Sequence, residues 1–166
     1  MKKDLVQEIT INGLLAALYA VFTVAMSPIS YGPIQFRVSE ILVLFCFFNK
    51  RYTIGLTLGC FIANLFSPTM GLDIIFGTIA TLIACVGIMF SKYLIVAIWF
   101  PVVSNAFIIA WELYILGVSQ YWITVLTVGL GELAVMVGGY IIFMMLKENK
   151  QLFTTIKANQ NIDYKF

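Results

Sequence analysis

Long apolar runs joined by short polar connections dominate this chain of 166 residues. About 20 consecutive apolar residues cross the hydrocarbon core of a bilayer, so such runs predict transmembrane helices. Six are predicted, namely Ile9–Ser27, Val38–Phe48, Tyr52–Phe66, Asp73–Phe90, Tyr93–Leu116 and Tyr121–Leu146. We therefore expect an all-α, polytopic membrane protein with six helices in one bundle, a single domain over residues 1–166, and a polar tail over residues 147–166.

The second segment is too short to cross a membrane as a regular helix. Its eleven residues give about 16 Å of α-helix against about 30 Å of hydrocarbon. The preceding stretch Pro28–Arg37 holds two prolines and a glycine, and it cannot form a regular helix. Irregular backbone at membrane depth is tolerated where it lines a cavity or is buried in protein. We expect this first outer loop to fold into the bundle mouth; the alternative is an exposed loop beside a tilted short helix.

Basic residues fall almost entirely on one side of this topology. With the N-terminus in the cytoplasm, the basic residues on the inside are Lys2, Lys3, Lys50, Arg51, Lys92, Lys147, Lys150, Lys157 and Lys165. Only Arg37 then lies outside. Cytoplasmic loops of membrane proteins carry such an excess of Lys and Arg, so both termini are predicted to be cytoplasmic.

The composition is typical of a membrane protein and excludes several classes of functional site. The chain is 61% hydrophobic and 11% charged, whereas soluble domains carry about 25% charged residues. It contains no histidine, which excludes histidine metal sites and Ser-His-Asp triads. Cys46, Cys60 and Cys85 lie in apolar runs without paired spacing and are interpreted as small core residues. We expect no enzyme activity, no resident cofactor or metal, and no nucleic-acid partner.

Five charged residues lie within or against the apolar runs: Arg37, Glu40, Asp73, Glu112 and Glu132. A carboxylate at the bilayer centre costs roughly 2.5 to 3.5 kcal/mol, and such residues usually face a bundle interior or a wet cavity. Arg37 and Glu40 are three residues apart and can pair. Asp73 can instead cap the helix that it opens. An acidic cavity indicates a cation, a proton or a base-like ligand.

Polar residues of the last two helices are predicted to meet. Asn105 and Glu112 share one face of the fifth helix because they are seven residues apart. Asn105 and Glu132 are equally distant from the turn Gly117–Gln120, so antiparallel packing places them at similar depth. The alternative for each acid is a structural hydrogen bond to a neighbouring helix.

Several motifs resemble the QueT family in order and spacing over nearly the whole chain. They are Tyr31–Glu40, Asn64 with Ser67 and Pro68, Asp73–Leu82, Pro101–Ala106, and Gly131 with Glu132. Proteins of this family are substrate-binding S components of energy-coupling factor (ECF) transporters in bacterial cell membranes. The resemblance implies six helices, a site under the first outer loop, and uptake of the queuosine precursor 7-aminomethyl-7-deazaguanine.

The resemblance also implies partners. Energy comes from a separate module of two ATPases and a transmembrane coupling subunit, the T component, and this chain has no phosphate-binding G-x-x-x-x-G-K-[ST] loop of its own. In these families an A-x-x-x-A motif of the first helix contacts the T component, and here it maps to Ala16 and Ala20. Small residues four apart let a second helix approach closely.

The ligand's chemistry suits the candidate residues. Its ammonium arm and the adjacent N–H donors of its guanine-like edge both favour carboxylates, and an amide can donate to its ring carbonyl. The candidate substrate-binding residues are Gln35, Arg37, Glu40, Asn64, Asp73, Asn105, Glu112 and Glu132. The alternative is a self-sufficient secondary transporter in which Glu112 or Glu132 exchanges protons for an organic cation.

Overall fold

Helices make up most of the computed structural model, which describes residues 2–32, 35–68 and 70–156. The α-helices are α1 Lys2–Ala25, α2 Ser27–Ser30, α3 Phe45–Phe48, α4 Tyr52–Asn64, α5 Met70–Met89, α6 Leu94–Ala97, α7 Trp99–Ile115, α8 Tyr121–Leu146 and α9 Lys150–Thr155. A 3₁₀ helix, Val38–Leu44, precedes α3 directly. No strand occurs in these ranges, so the predicted all-α class is confirmed.

Four helical stretches are long and apolar enough to cross a membrane, namely Leu5–Ala25, Gly71–Met89, Leu94–Ile115 and Tyr121–Leu146. Two shorter apolar stretches, Val38–Phe48 and Tyr52–Asn64, complete the predicted set. The crossing of the membrane by all six segments, and the cytoplasmic position of both termini, stay predictions. Of the polar tail, residues 157–166 lie outside the described residues.

The predicted fifth helix is divided by its proline. Pro101 lacks a backbone N–H and its ring clashes with the carbonyl group four residues earlier, which belongs to Ala97. The chain breaks there into α6 and α7, and Ile98 is the residue between them. At the other end of α7, Gly117 has a φ of 69° and reverses the chain into α8.

The short second segment is mostly a 3₁₀ helix. Because this helix rises about 2.0 Å per residue, Val38–Phe48 extends over about 20 Å, which is still less than a bilayer needs. Three residues per turn place Glu40 and Val43 along one line, and Arg37 directly precedes this helix with an extended backbone. A run of seven residues is long for this geometry, and such runs are associated with strain or function.

The long helices form an open ring that the 3₁₀ helix closes. Along the ring α1 packs against α4, α4 against α5, α5 against α7, and α7 against α8. The 3₁₀ helix contacts α1, α5 and α8 and so joins the two ends. Large apolar side chains such as Ile54 and Leu130 remain exposed on the outer surface, as expected where lipid replaces water.

Close packing of α1 against α4 depends on two glycines. A Cβ atom on Gly55 would lie 2.5 Å from the carbonyl oxygen of Asn12, and one on Gly59 would lie 2.7 Å from that of Ala16. The backbone N–H of Gly55 also donates to the Asn12 side chain at 2.8 Å. The expected close approach to small residues of the first helix is therefore made by α4 of the same chain.

This packing changes the interpretation of Ala16 and Ala20. Their exposed fractions are only 5% and 9%, so they lie inside the bundle and do not present a free surface to another subunit. Among the small residues that α1 does expose, Gly13 and Ala17 are four apart, as a close helix–helix contact requires.

The last described residues fold back onto the end of the bundle that is predicted to be cytoplasmic. The carbonyl oxygen of Ile156 accepts hydrogen bonds from the Tyr52 hydroxyl at 2.9 Å and from the Asn49 amide at 3.4 Å. An ion pair between Glu8 and Arg51 joins the start of α1 to the start of α4 at the same end.

Gly59→Ala is predicted to destabilise the protein by about 1 to 3 kcal/mol, because the added methyl group overpacks a contact with backbone that cannot move aside. Gly138→Ala in α8 is the matched control, since a Cβ atom there would meet nothing within 4 Å. Thermal unfolding in detergent measures both. Equal melting temperatures for the two variants would contradict the close α1–α4 contact.

Candidate functional site

A cavity of about 370 Å³ opens at the end of the bundle that is predicted to face outward. The first outer loop, the start of α5, the end of α7 and the start of α8 enclose it. Its lining residues are Tyr31, Gly32, Gln35, Pro68, Asp73, Leu113, Val118, Ser119, Ile123, Thr124 and Thr127. The loop therefore folds into the bundle mouth as predicted, although its residues Pro33 and Ile34 lie outside the described residues.

Hydrogen bonds hold the loop over the cavity. The Tyr31 hydroxyl donates to the carbonyl oxygen of Ala63 at 2.7 Å, and burial raises the pKa of this phenol above its ordinary value, which keeps it neutral. The N–H of Phe36 donates to the carbonyl oxygen of Ile29 at 3.1 Å. Gln35 adopts a φ of 46°, a left-handed conformation that costs energy for a residue with a side chain. The described residues on both sides of the loop are thus hydrogen-bonded, and Gln35 lies at the cavity wall.

Of the eight predicted site residues, Gln35 and Asp73 line this cavity. The other six are buried and do not line the cavity, and they are Arg37, Glu40, Asn64, Asn105, Glu112 and Glu132. Along α8, Glu132 lies about 7 Å beyond the lining residue Thr127. We call these six residues together with Asp73 the polar cluster.

Arg37 is the centre of the polar cluster. Its guanidinium interacts electrostatically with Glu40, Glu112 and Glu132. Its Nη1 lies 3.9 Å from the Cys60 sulfur, and its Cζ lies 5.6 Å from the centre of the Tyr31 ring.

The expected Arg37–Glu40 ion pair does not form. Among the described residues no Arg37 nitrogen comes within ion-pair distance of a carboxylate. The backbone at Arg37 is extended, and its side chain reaches Cys60 of α4, whereas Glu40 is bonded to α1 and α5. Arg37 lies just before the 3₁₀ helix and Glu40 lies within it, and their side chains diverge.

Glu40 is held through one of its two oxygens. The hydroxyl group of Tyr19 in α1 donates to Oε1, and the hydroxyl group of Thr81 in α5 donates to the same atom at 3.2 Å. Oε2 has no hydrogen-bond partner among the described residues. The Asn105 amide lies within electrostatic reach of both Glu40 and Glu132. The predicted meeting of Asn105 with Glu132 is therefore present, and Glu40 joins it.

Glu112 and Asp73 form the part of the polar cluster nearest the cavity. The two carboxyl groups are close enough to interact. Asp73 lies in the first turn of α5 and accepts a hydrogen bond from the Ser67 hydroxyl. Neither oxygen of Glu112 has a hydrogen-bond partner in the described part of the chain, although the residue is fully buried. The Asn64 amide links α4 to α5 through the carbonyl oxygen of Asp73 at 2.8 Å.

The polar cluster contains six buried side-chain atoms without a hydrogen-bond partner among the described residues. They are Arg37 Nη2, Glu40 Oε2, Asn64 Oδ1, Glu112 Oε1, Glu112 Oε2 and Glu132 Oε1. Buried polar atoms are almost always bonded to protein or water, so such a concentration requires an explanation. One guanidinium among four carboxyl groups also gives this region a negative character. The arrangement suits a polar or cationic guest, and no group of acids or cysteines within the described ranges has the arrangement of a metal site.

Sequence reasoning missed Tyr19, Cys60 and Thr81, all of which contact the polar cluster. Each lies in an apolar run where a tyrosine, a cysteine or a threonine is ordinary. No local pattern distinguishes them, because their contacts are with residues 21 to 41 positions away.

Comparisons with known proteins identify the family of this chain. The family model described as "QueT transporter" matches residues 9–148. A protein of Lactococcus lactis subsp. cremoris (strain MG1363), named "Queuosine precursor transporter QueT", is 36% identical over 160 residues, which cover 85% of this chain and 93% of that protein. No solved structure matches the chain significantly. Together with the apolar helices, these matches show that the chain is a multi-pass bacterial membrane protein that belongs to the QueT transporter family.

Proposed function

We propose that this chain is the substrate-binding subunit of an ECF-type importer and captures 7-aminomethyl-7-deazaguanine from outside the cell. Membership of the QueT family and the printed name of the Lactococcus relative support a queuosine precursor as cargo. The observation that carries the proposal for this chain is the acidic polar cluster below the cavity, with six buried polar atoms that lack partners among the described residues. A polar, cationic guest supplies both the missing partners and the missing positive charge.

The ligand's two polar ends match two parts of the polar cluster. Its ammonium group suits Glu112 and Asp73, because paired carboxyl groups near the cavity can share one cation. Its ring edge suits Glu132 and Asn105 deeper in the bundle, where a carboxylate accepts adjacent N–H groups and an amide donates to the ring carbonyl.

In this proposal, a partner module of two ATPases and a T component drives delivery of the bound ligand into the cell. In that assembly Ala16 and Ala20 act indirectly, because they hold α1 against α4. The direct contact of α1 with a partner helix is assigned to the exposed small residues Gly13 and Ala17.

Glu112→Gln and Glu132→Gln are each predicted to weaken ligand binding at least about tenfold, because removal of one partner of a buried charged hydrogen bond costs about 2 to 5 kcal/mol. Titration calorimetry on the purified full chain measures the affinities. Glu148→Gln is the matched control, since this glutamate is exposed beyond the end of α8. Unchanged affinity in both buried variants would remove these residues from the site.

The site is predicted to favour the aminomethyl compound over the analogue with a nitrile in its place. Both share the same ring edge, so the affinity gap reports on the ammonium group. A hydrogen bond to a charged group contributes about 1.5 to 3 kcal/mol, which corresponds to about ten- to a hundredfold in affinity. The gap is expected to shrink in Glu112→Gln. Equal affinity of the wild-type protein for both compounds would show that the acids do not recognise a cation.

Ala17→Leu is predicted to reduce transport by the assembled importer while ligand binding to the isolated chain is retained, because the added bulk blocks close approach to α1. Ala16→Leu is expected to lower thermal stability instead, since Ala16 is packed against Gly59. Uptake into vesicles and binding by the isolated chain separate the two effects. Accumulation by the chain alone, driven by a proton gradient, would favour the secondary-transporter alternative.

A further inference from the structure

We infer that Tyr19 and Thr81 are positioning residues that orient the Glu40 carboxylate toward the bound ligand. The inference rests on the proposed function and extends it to two hydroxyl groups that lie in apolar helices. Neither hydroxyl group is in the lining of the outer cavity. Their common feature is that they donate to one atom, Glu40 Oε1.

The hydrogen bonds on Glu40 are distributed unequally. Oε1 accepts from a hydroxyl group of α1 and from a hydroxyl group of α5, while Oε2 has no partner among the described residues. Two donors from different helices fix both the position of Oε1 and the plane of the carboxyl group, because hydrogen bonds are directional. Asn105 and Arg37 of the polar cluster interact with the same carboxyl group, and Oε2 is the oxygen that remains for the ligand.

Helix packing sets the position of Tyr19. A Cβ atom on Gly59 would lie 2.9 Å from the Tyr19 Cβ, so the missing side chain of Gly59 makes room for the tyrosine. The ring is completely buried and reaches Glu40 across the α1–3₁₀ interface. Thr81 is equally buried, and its hydroxyl group also lies 3.2 Å from the Cys60 sulfur beside Arg37. Both donors are therefore held by their surroundings in the geometry that Glu40 requires.

The test removes one buried hydroxyl group at a time. Tyr19→Phe and Thr81→Val each delete a donor to Glu40 with little change of volume. Thr23→Val is the matched control, because Thr23 is fully buried in the same interface but bonds to the backbone carbonyl of Tyr19, at 2.8 Å, and to Ser39, at 2.6 Å, and not to Glu40. Calorimetric titration of the full chain with 7-aminomethyl-7-deazaguanine gives the affinity, and thermal unfolding without ligand gives the stability of each variant.

Tyr19→Phe and Thr81→Val are expected to lower affinity about three- to tenfold, while Thr23→Val changes it less than about twofold. The melting temperatures of all three are expected to fall by similar amounts. A purely structural role would instead lower the affinity of all three variants alike or of none, and that result overturns the inference. Failure of the wild-type chain to bind the compound overturns the proposed function first.

A double-mutant cycle gives an independent check. In a Glu40→Ala background, Tyr19→Phe is expected to have less than about twofold further effect on affinity, because the carboxylate that its hydroxyl group orients is gone. Thr23→Val is expected to behave identically in both backgrounds. A full effect of Tyr19→Phe without Glu40 would show that the phenol acts by another route. If Glu40→Ala does not fold, the affinities of Tyr19→Phe and Thr81→Val compared with that of Thr23→Val test the inference.

Discussion

A single buried positive charge, the guanidinium of Arg37, organises the interior of this protein. A charge within a membrane protein is costly unless other groups compensate it, and here acids of two other elements, α7 and α8, interact with the guanidinium. Glu40 on the 3₁₀ helix is the third acid that does so. Because these acids come from different elements, their interactions with one guanidinium draw those elements together. The short 3₁₀ segment is central to the fold since it carries this charge to the middle of the ring.

The polar cluster has more acidic than basic groups and leaves buried atoms without hydrogen-bond partners among the described residues. In the proposed function, the ligand supplies the missing positive charge and the missing partners. The polar cluster holds four carboxyl groups and one guanidinium, and the acids nearest the cavity interact with each other. A cluster built only for stability would satisfy its buried atoms, since each unsatisfied group costs about 1 to 3 kcal/mol. A binding site, by contrast, leaves such atoms for its ligand. The cost of holding them without partners is met by the apolar packing of the surrounding helices, above all by the contact of α1 with α4.

The same packing couples the surface of the protein to its interior. Gly59 of α4 admits both Ala16 and Tyr19 of α1, and Tyr19 reaches Glu40. A partner helix on the exposed face of α1 would therefore act on a helix that contacts the polar cluster directly through Tyr19. In an importer of the proposed type, this connection offers a physical route by which docking of a partner changes the affinity for the ligand.

The sequence by itself determined the fold class, the apolar segments and the acidic character of the interior, because hydropathy and buried charge are local properties that the chain displays directly. It also placed Asn105 near Glu132, since the turn at Gly117 sets the register of two antiparallel helices. Only the tertiary structure decided the rest. The divergence of Arg37 from Glu40, the burial of Ala16 and the bonds of Tyr19 and Thr81 to Glu40 depend on which helix faces overlap. That overlap is set by contacts between residues far apart in the chain, such as Ala16 with Gly59, and no local pattern records it.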